Sequence, residues 1–439
     1  MDKRAGKYME VGTEPGMGGG GRGAVSLRNL RTFNSFKNPV YRLYYGGMLG
    51  QMASMNMQMV AGSMLLWRLT NSAAILGAMS FAGAIPMLTL SLFGGVIADR
   101  VEKKYVLLFG QLAFAVISLG IALTLTLGYL SPDRPGSWWI LVVSSILQGA
   151  VMGLAMPSRQ AIINDIVDEE ELMNAISLNF MGMNALQLLA PALAGFLVDA
   201  FDFKAVYYTM TGLYLIAVAF FAFMPLLGVK ATGRSNFIVN IKEGFKYVGR
   251  EKTIRLLLIL SFIAVVLSMP YGMLLPIFAD DILEFSSGVP VGAGGLGWMM
   301  SISGAGAVAS SITLASLPNK KRGLMLLIGG IILGLALTGF AFSTLWPLSL
   351  VMIVFVGIGG TVRMSLTNTL IQYYVEDDYR GRVMSLFMMQ FGLSSFGTFV
   401  AGLIAEAVGV QWAVGSFAIL LIVLSIVALI VLPQMRKLD

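Results

Sequence analysis

Long apolar stretches separated by short polar connections recur along the whole chain. A helical run of about 20 apolar residues matches the thickness of a bilayer's hydrocarbon core. Twelve such runs are legible, at 44–67, 73–98, 104–129, 138–157, 173–198, 205–228, 254–279, 293–317, 323–343, 346–371, 382–407 and 411–433. The connections hold turn residues and most of the charge, as in Asp133-Arg134-Pro135-Gly136. The pattern predicts an all-α polytopic membrane protein with 12 transmembrane helices.

The runs fall into two sets. Residues 1–35 hold a Gly cluster from Gly16 to Gly23 and read as a flexible tail. Residues 36–228 form a first six-helix bundle, 254–433 a second, and 434–439 a short tail. The linker at 229–253 carries Phe237, Ile238, Ile241, Phe245 and Val248 at helical spacing among Lys242, Lys246, Arg250 and Lys252. It reads as an amphipathic helix lying on a membrane surface.

An internal repeat relates the two sets. Val167-Asp168-Glu169-Glu170, followed by Ala175-Ile176-Ser177-Leu178 and Ala194-Gly195, recurs as Val375-Glu376-Asp377-Asp378, Val383-Met384-Ser385-Leu386 and Ala401-Gly402. Asp99-Arg100 aligns likewise with Asn319-Lys320-Lys321-Arg322. Two pseudo-symmetric halves imply an axis along the membrane normal with a pathway between them, the arrangement a rocking transporter needs.

Charge then orients the chain. With the N-terminus inside, 26 Lys and Arg residues fall on the inner side and three, Arg68, Arg134 and Lys204, on the outer. Both termini are therefore expected in the cytoplasm of a bacterial-type inner membrane. The net charge of +7 reports this topology and an anionic inner leaflet; no nucleic-acid partner is expected. Only 12% of residues are charged, against about 25% in soluble chains. The absence of Cys and His removes disulfides, thiolate nucleophiles, imidazole bases and ordinary zinc sites. No enzyme, cofactor or metal is expected, and no Walker-type phosphate loop is present.

Gly95-Val96-Ile97-Ala98-Asp99-Arg100-Val101-Glu102-Lys103-Lys104 resembles the loop signature of the major facilitator superfamily, with Glu102 where Gly is common. Asn38-Pro39-Val40-Tyr41-Arg42-Leu43, Ser91-Leu92-Phe93-Gly94-Gly95, Met156-Pro157-Ser158-Arg159-Gln160-Ala161, Leu172-Met173-Asn174-Ala175 and Leu274-Leu275-Pro276-Ile277-Phe278-Ala279 resemble its macrolide-efflux and enterobactin-exporter branch of drug:proton antiporters. The resemblance covers about residues 36–433. It implies alternating access between two six-helix halves, export of a small molecule, proton antiport and a monomer.

The resemblance makes Gly95, Asp99, Arg100, Lys103 and Lys104 a gate latch on the inner side. A carboxylate there can cap a neighbouring helix and pair with arginine. Arg159 is expected to pair with Asp165 or Asp168 as a second latch, while Asn319 weakens the equivalent latch of the second half. Ala190-Pro191-Ala192-Leu193-Ala194-Gly195 resembles the exporters' antiporter motif; its Pro191 and Gly195 permit bending and close helix approach. Gln148-Gly149 matches the end of a proton-transfer signature whose Arg is here Ser145.

A substrate pathway is read from side-chain chemistry. Met52, Met55 and Met59 lie along the first span beside Gln51 and Asn56, a mixture of polarisable thioethers and amides suited to bulky amphiphiles. Gln187 and the intramembrane Arg363 complete the set. For proton coupling the candidates are Asp165 and Asp280, because no acid lies at mid-membrane. A lysophospholipid or lipid-like transporter, a facilitative carrier without protons, and a receptor or scaffold remain open alternatives.

Overall fold

The structure, a computed structural model, describes residues 31–228, 237–285, 287–317 and 320–438. The Gly cluster of the tail, the start of the linker and Asn319 lie outside the described residues. The chain is a succession of helices. In the first half these are α1 (Pro39–Thr70), α2 (Ala73–Arg100), α3 (Lys103–Thr126), α4 (Trp139–Ala161), the short α5 (Ile163–Ile166), α6 (Glu169–Phe201) and α7 (Phe203–Phe223). Helix α8 (Phe237–Arg250) follows, in the segment read as a linker. The second half comprises α9 (Lys252–Ser268), α10 (Pro270–Ile277), α11 (Gly292–Ser316), α12 (Arg322–Ala341), α13 (Trp346–Tyr374), α14 (Arg380–Met388), α15 (Gln390–Val408), α16 (Val410–Val431) and α17 (Pro433–Arg436).

Eleven helical stretches among the described residues are long and apolar enough to cross a membrane. The sequence reading of twelve differs by α1, which is less apolar because Gln51, Ser54, Asn56, Gln58 and Ser63 interrupt it. Helix α1 is nonetheless 32 residues long and packs against α6 and α7 within the first bundle. Its polar positions are turned inward: Gln51 and Ser54 are buried, and Ser54 donates to the Gly50 carbonyl. The seventh run is not one helix. Pro270 starts α10 after the chain turns at Met269, and a π turn follows over Phe278–Ile282. The eleventh is likewise split at Met389 into α14 and α15.

Helix ends are set by local chemistry. Asn38 accepts from the amides of Val40 and Tyr41 and precedes Pro39, the proline-at-start pattern of a helix N-terminus. Asn71 takes a left-handed conformation (φ 46°) after α1, and the Ser72 hydroxyl then accepts from the Ile75 amide to begin α2. That two-residue reversal holds Arg68 and Ser72 close together at the same end of the bundle. Asp202, also at positive φ, makes the corresponding reversal from α6 to α7.

Asn38, at the start of α1, and Leu438, near the C-terminus, lie on one side of the bundle, called here the terminus side. Asn38 Nδ2 donates to the Ile166 carbonyl, and the Gly323 amide donates to the Leu438 carbonyl at the start of α12. Helix α8 lies on this side against α14, through an Arg382–Glu243 ion pair of 3.0 Å and a Tyr247–Tyr379 stack. The halves meet through α6 with α11 and α2 with α15.

Candidate substrate cavity and gate contacts

A cavity of about 270 Å³ lies between the halves. From the first half α1 contributes Met55 and Gln58, α2 contributes Ser80 and Met87, α3 Phe114, α4 Ser145, Gln148 and Met152, and α7 Tyr214; from the second, α15 brings Phe391 and Ser395. Phe114 and Tyr214 stack with ring centroids 5.4 Å apart. Ser145 donates to the Met79 carbonyl, while Gln58 Oε1 is buried and receives no hydrogen bond. No Asp, Glu, Lys or Arg is among the lining residues. Thioethers, aromatic faces and two amides make a wall that accommodates an apolar body and hydrogen-bonds it at few points.

The predicted pathway residues spread out. Met55 lines this cavity. Met52 is buried beneath it and its sulfur accepts from Arg159 Nη2 at 3.3 Å. Gln51 is buried within the first bundle, Asn56 donates to the Met52 carbonyl, and Met59 is 54% exposed on the outer face of α1. The Gln187 side chain is exposed. Its carbonyl is the one that Pro191, lacking an amide proton, leaves free, and it lies where Gly304 of α11 comes close. Arg363 is buried inside the second bundle, away from this cavity.

On the terminus side, the latch residues tie the first half to itself. Lys103 pairs with Asp165, joining α3 to α5 with both side chains largely buried. Lys104 donates to the Ala222 carbonyl of α7, and Glu102, the departure from the family pattern, accepts from the Gly228 amide. Gly95, Asp99 and Arg100 form the last turns of α2, with Asp99 and Arg100 exposed. Arg159 takes a direction other than the expected one: with Lys103 on Asp165, it faces Tyr44 and Met52 in the interior.

On the opposite side, three carboxylates span the two halves. Arg68 holds Asp280 through two hydrogen bonds, Nε to Oδ2 at 2.9 Å and Nη2 to Oδ1 at 3.1 Å. The Gly294 amide donates to Asp199 Oδ2 at 2.9 Å, joining α11 to α6. Glu406 at the end of α15 accepts from the Ser72 hydroxyl and the Ala74 amide at the start of α2. Negative charge at a helix N-terminus is favourable because the first-turn amides are unpaired and the dipole is positive there.

Below these bridges the helices touch through glycine. A methyl on Gly195 would stand 3.0 Å from the Gly294 Cα, and one on Gly402 2.5 Å from the Ala73 carbonyl oxygen. Pro191 and Gly195, the motif residues of α6, therefore sit in the inter-half seam, where the Ala192 amide also donates to Ser301 Oγ. Of the acids that close this side, Asp199 and Glu406 carry no sequence mark distinguishing them from hydrated loop-end carboxylates.

Two helical bundles with a cavity between them, joined on one side by inter-half bridges, make the architecture of a membrane transporter. The family model MFS_3, "Transmembrane secretion effector", matches residues 30–439, and the chain belongs to this family of the major facilitator superfamily. Among relatives, the "Staphyloferrin A transporter" of Staphylococcus aureus is 23% identical over 342 residues, 77% of this chain and 83% of that protein. "Macrolide efflux protein A" of Streptococcus pyogenes is 24% identical over 93% of this chain and 100% of its own length. "Enterobactin exporter EntS" of Escherichia coli O1:K1 is 24% identical over 89% of each. A crystal structure of the peptide transporter POT in complex with sulfate superposes with a TM-score of 0.71 at 14% identity, over 91% of this chain and 96% of that one, and shares the fold.

Proposed function

We propose that this transporter exports a hydrophobic or amphiphilic small molecule, drug-like, macrolide-like or siderophore-like, by alternating access in exchange for protons. The observation that carries the substrate class is the cavity wall of Met55, Met87, Phe114 and Tyr214 with the amides of Gln58 and Gln148 and no ionised side chain. Such a wall selects a guest by apolar area and a few hydrogen bonds, and thioethers let it repack around different guests. The efflux relatives support the export direction. The basic bias supports cytoplasmic termini in a bacterial inner membrane. The protein then works as a monomer, with the cavity open towards the cytoplasm when the opposite side is bridged.

Alternating access requires the bridges on the opposite side to break when the halves rock. Arg68–Asp280 is the ion pair among them, so protonation of Asp280 removes its charge and releases Arg68. Asp280 is thus the coupling residue this geometry supports; Asp165 is held by Lys103 within one half and acts at most on the terminus side. A facilitative carrier is the second reading, favoured by the absence of Asp, Glu, Lys and Arg from the lining residues of the cavity.

The test uses efflux-deficient bacterial cells expressing the chain against a panel of uncharged amphiphiles, then proteoliposomes loaded with the compounds that are exported. Reduced accumulation of at least one compound, accelerated by an imposed pH gradient, is expected. Efflux indifferent to the gradient overturns proton antiport and leaves facilitation; no effect on any amphiphile overturns the substrate class. In Asp280→Asn, efflux down a substrate gradient persists while the response to the pH gradient is lost.

A further inference from the structure

Arg363 is the one basic residue in the middle of an apolar run, and it is 3% exposed inside the second bundle. It faces a cavity of about 40 Å³ lined by α9, α12, α13 and α16, which is separate from the one between the halves. Leu260, Leu327 and Leu421 supply its apolar wall, and Ser261, Thr367 and Ser425 its hydroxyls. Arg363 Nε and Nη1 are buried and donate to nothing, and the Ser261 and Thr367 hydroxyls are buried without a partner as well.

A guanidinium stays protonated in proteins, so burial does not neutralise it; a buried charge needs a counter-charge. The four helices lining the cavity contain no Asp or Glu anywhere along their lengths. These four helices therefore offer no anion to this cation, while arranging two free N–H donors and two free hydroxyls around one small space. Gly330 keeps that space open, because a methyl there would stand 2.8 Å from Ser425 Oγ. A guest the size of water needs on the order of 10–15 Å³, so a cavity of about 40 Å³ has room for a small ion such as a halide.

We propose that Arg363, Ser261 and Thr367 form a binding site for a halide ion within the second bundle. The ion neutralises the guanidinium and accepts hydrogen bonds from its free N–H groups and from the two hydroxyls. It sits among four helices of one half, so its role is to hold that half as a rigid unit.

The experiment uses the full-length purified protein in detergent, with thermal unfolding followed in chloride, bromide or gluconate at equal ionic strength. Chloride and bromide are expected to raise the midpoint by several degrees in a saturable manner, and gluconate, a much larger anion, is not. Arg363→Met, which removes the cation and fills with apolar volume, is expected to unfold at the same temperature in all three salts. Ser261→Ala keeps the cation and is expected to raise the half-saturating bromide concentration several-fold, which carries the test should Arg363→Met fail to fold. Crystals grown in bromide are expected to show an anomalous peak beside Arg363. A midpoint independent of the anion in the unsubstituted protein, a halide response undiminished in either variant, or no bromide peak at saturating concentration overturns the site.

Discussion

Arg68 and Asp280 are 212 positions apart in sequence, yet the guanidinium grips the carboxylate with two hydrogen bonds of 2.9 and 3.1 Å. The pair joins α1 of the first half to the π turn of the second, and the Arg68 guanidinium also lies 5.5 Å from the centre of the Phe203 ring. The turn matters because Pro276 and the π geometry end α10 in a way that presents Asp280 to Arg68. The Arg68 side chain is 39% exposed, so the bridge belongs among screened ion pairs, worth about 1 kcal/mol. That is enough to bias two states of a transporter without locking either.

Removing the bridge is accordingly expected to move a population. Arg68→Gln should shift the balance towards the state open on that side about fivefold, since about 1.4 kcal/mol corresponds to a tenfold change. The chain has no native Cys, so spin labels at Lys204→Cys and Leu345→Cys, both exposed on that side, report the opening directly. The charge-reversed double variant Arg68→Asp with Asp280→Arg is expected to restore the short distance. High salt should weaken the effect of the single variant, because an exposed pair is already screened.

Lys103–Asp165 is a different kind of pair. Both side chains are largely buried, and breaking a buried ion pair costs roughly 3–5 kcal/mol. Lys103→Met is expected to lower the thermal unfolding midpoint strongly, and Lys103→Met with Asp165→Asn to recover most of the loss. Because the pair lies within one half, neither variant is expected to change the distance between labels at positions 204 and 345.

The seam glycines predict a third outcome. Gly195→Val places branched carbon against the Ala293–Gly294 backbone, and Gly402→Val does the same against Ala73. Overpacking costs about 1–3 kcal/mol, here relieved by separating the halves on the bridged side. Both variants should lengthen the label distance there and slow efflux. Gly120→Ala, with no neighbour within 4 Å, is the control and is expected to behave as the unsubstituted protein.

The sequence makes legible those features of the fold that local interactions specify. Apolar runs specify spans one at a time, so the all-helical two-bundle fold was readable throughout. Only α1 was ambiguous by composition, since its inward polar face dilutes the run. The repeat also identified α6, whose Pro191 and Gly195 lie in the seam. The gate on the bridged side was not readable. Ser72 and Glu406 are 334 positions apart, and a loop-end carboxylate has the same sequence environment whether it meets water or a helix N-terminus. The sequence places Met52, Met55 and Met59 along α1 but does not give the rotation of that helix. Met55 therefore lines the cavity while Met59, one turn on, is exposed. Arg363 was visible as an expensive residue, whereas the half that buries it, and with what neighbours, is a matter of packing.

Gln58 offers the sharpest test of the cavity itself. Its Oε1 is buried in a wall where it accepts nothing, an arrangement that costs free energy unless a guest supplies the donor. A neutral hydrogen bond is worth about 0.5–1.5 kcal/mol net. Gln58→Leu is therefore expected to raise the KM of a transported amphiphile bearing a hydroxyl or amide donor by about 2- to 12-fold, with little change in maximal rate. For an analogue whose donor is methylated, the same variant should be neutral or should lower KM, since the wall no longer buries an unpaired oxygen. Proteoliposome flux of the matched pair of compounds measures the difference. Equal effects of Gln58→Leu on both compounds would mean that the guest does not meet this amide and binds elsewhere along the seam.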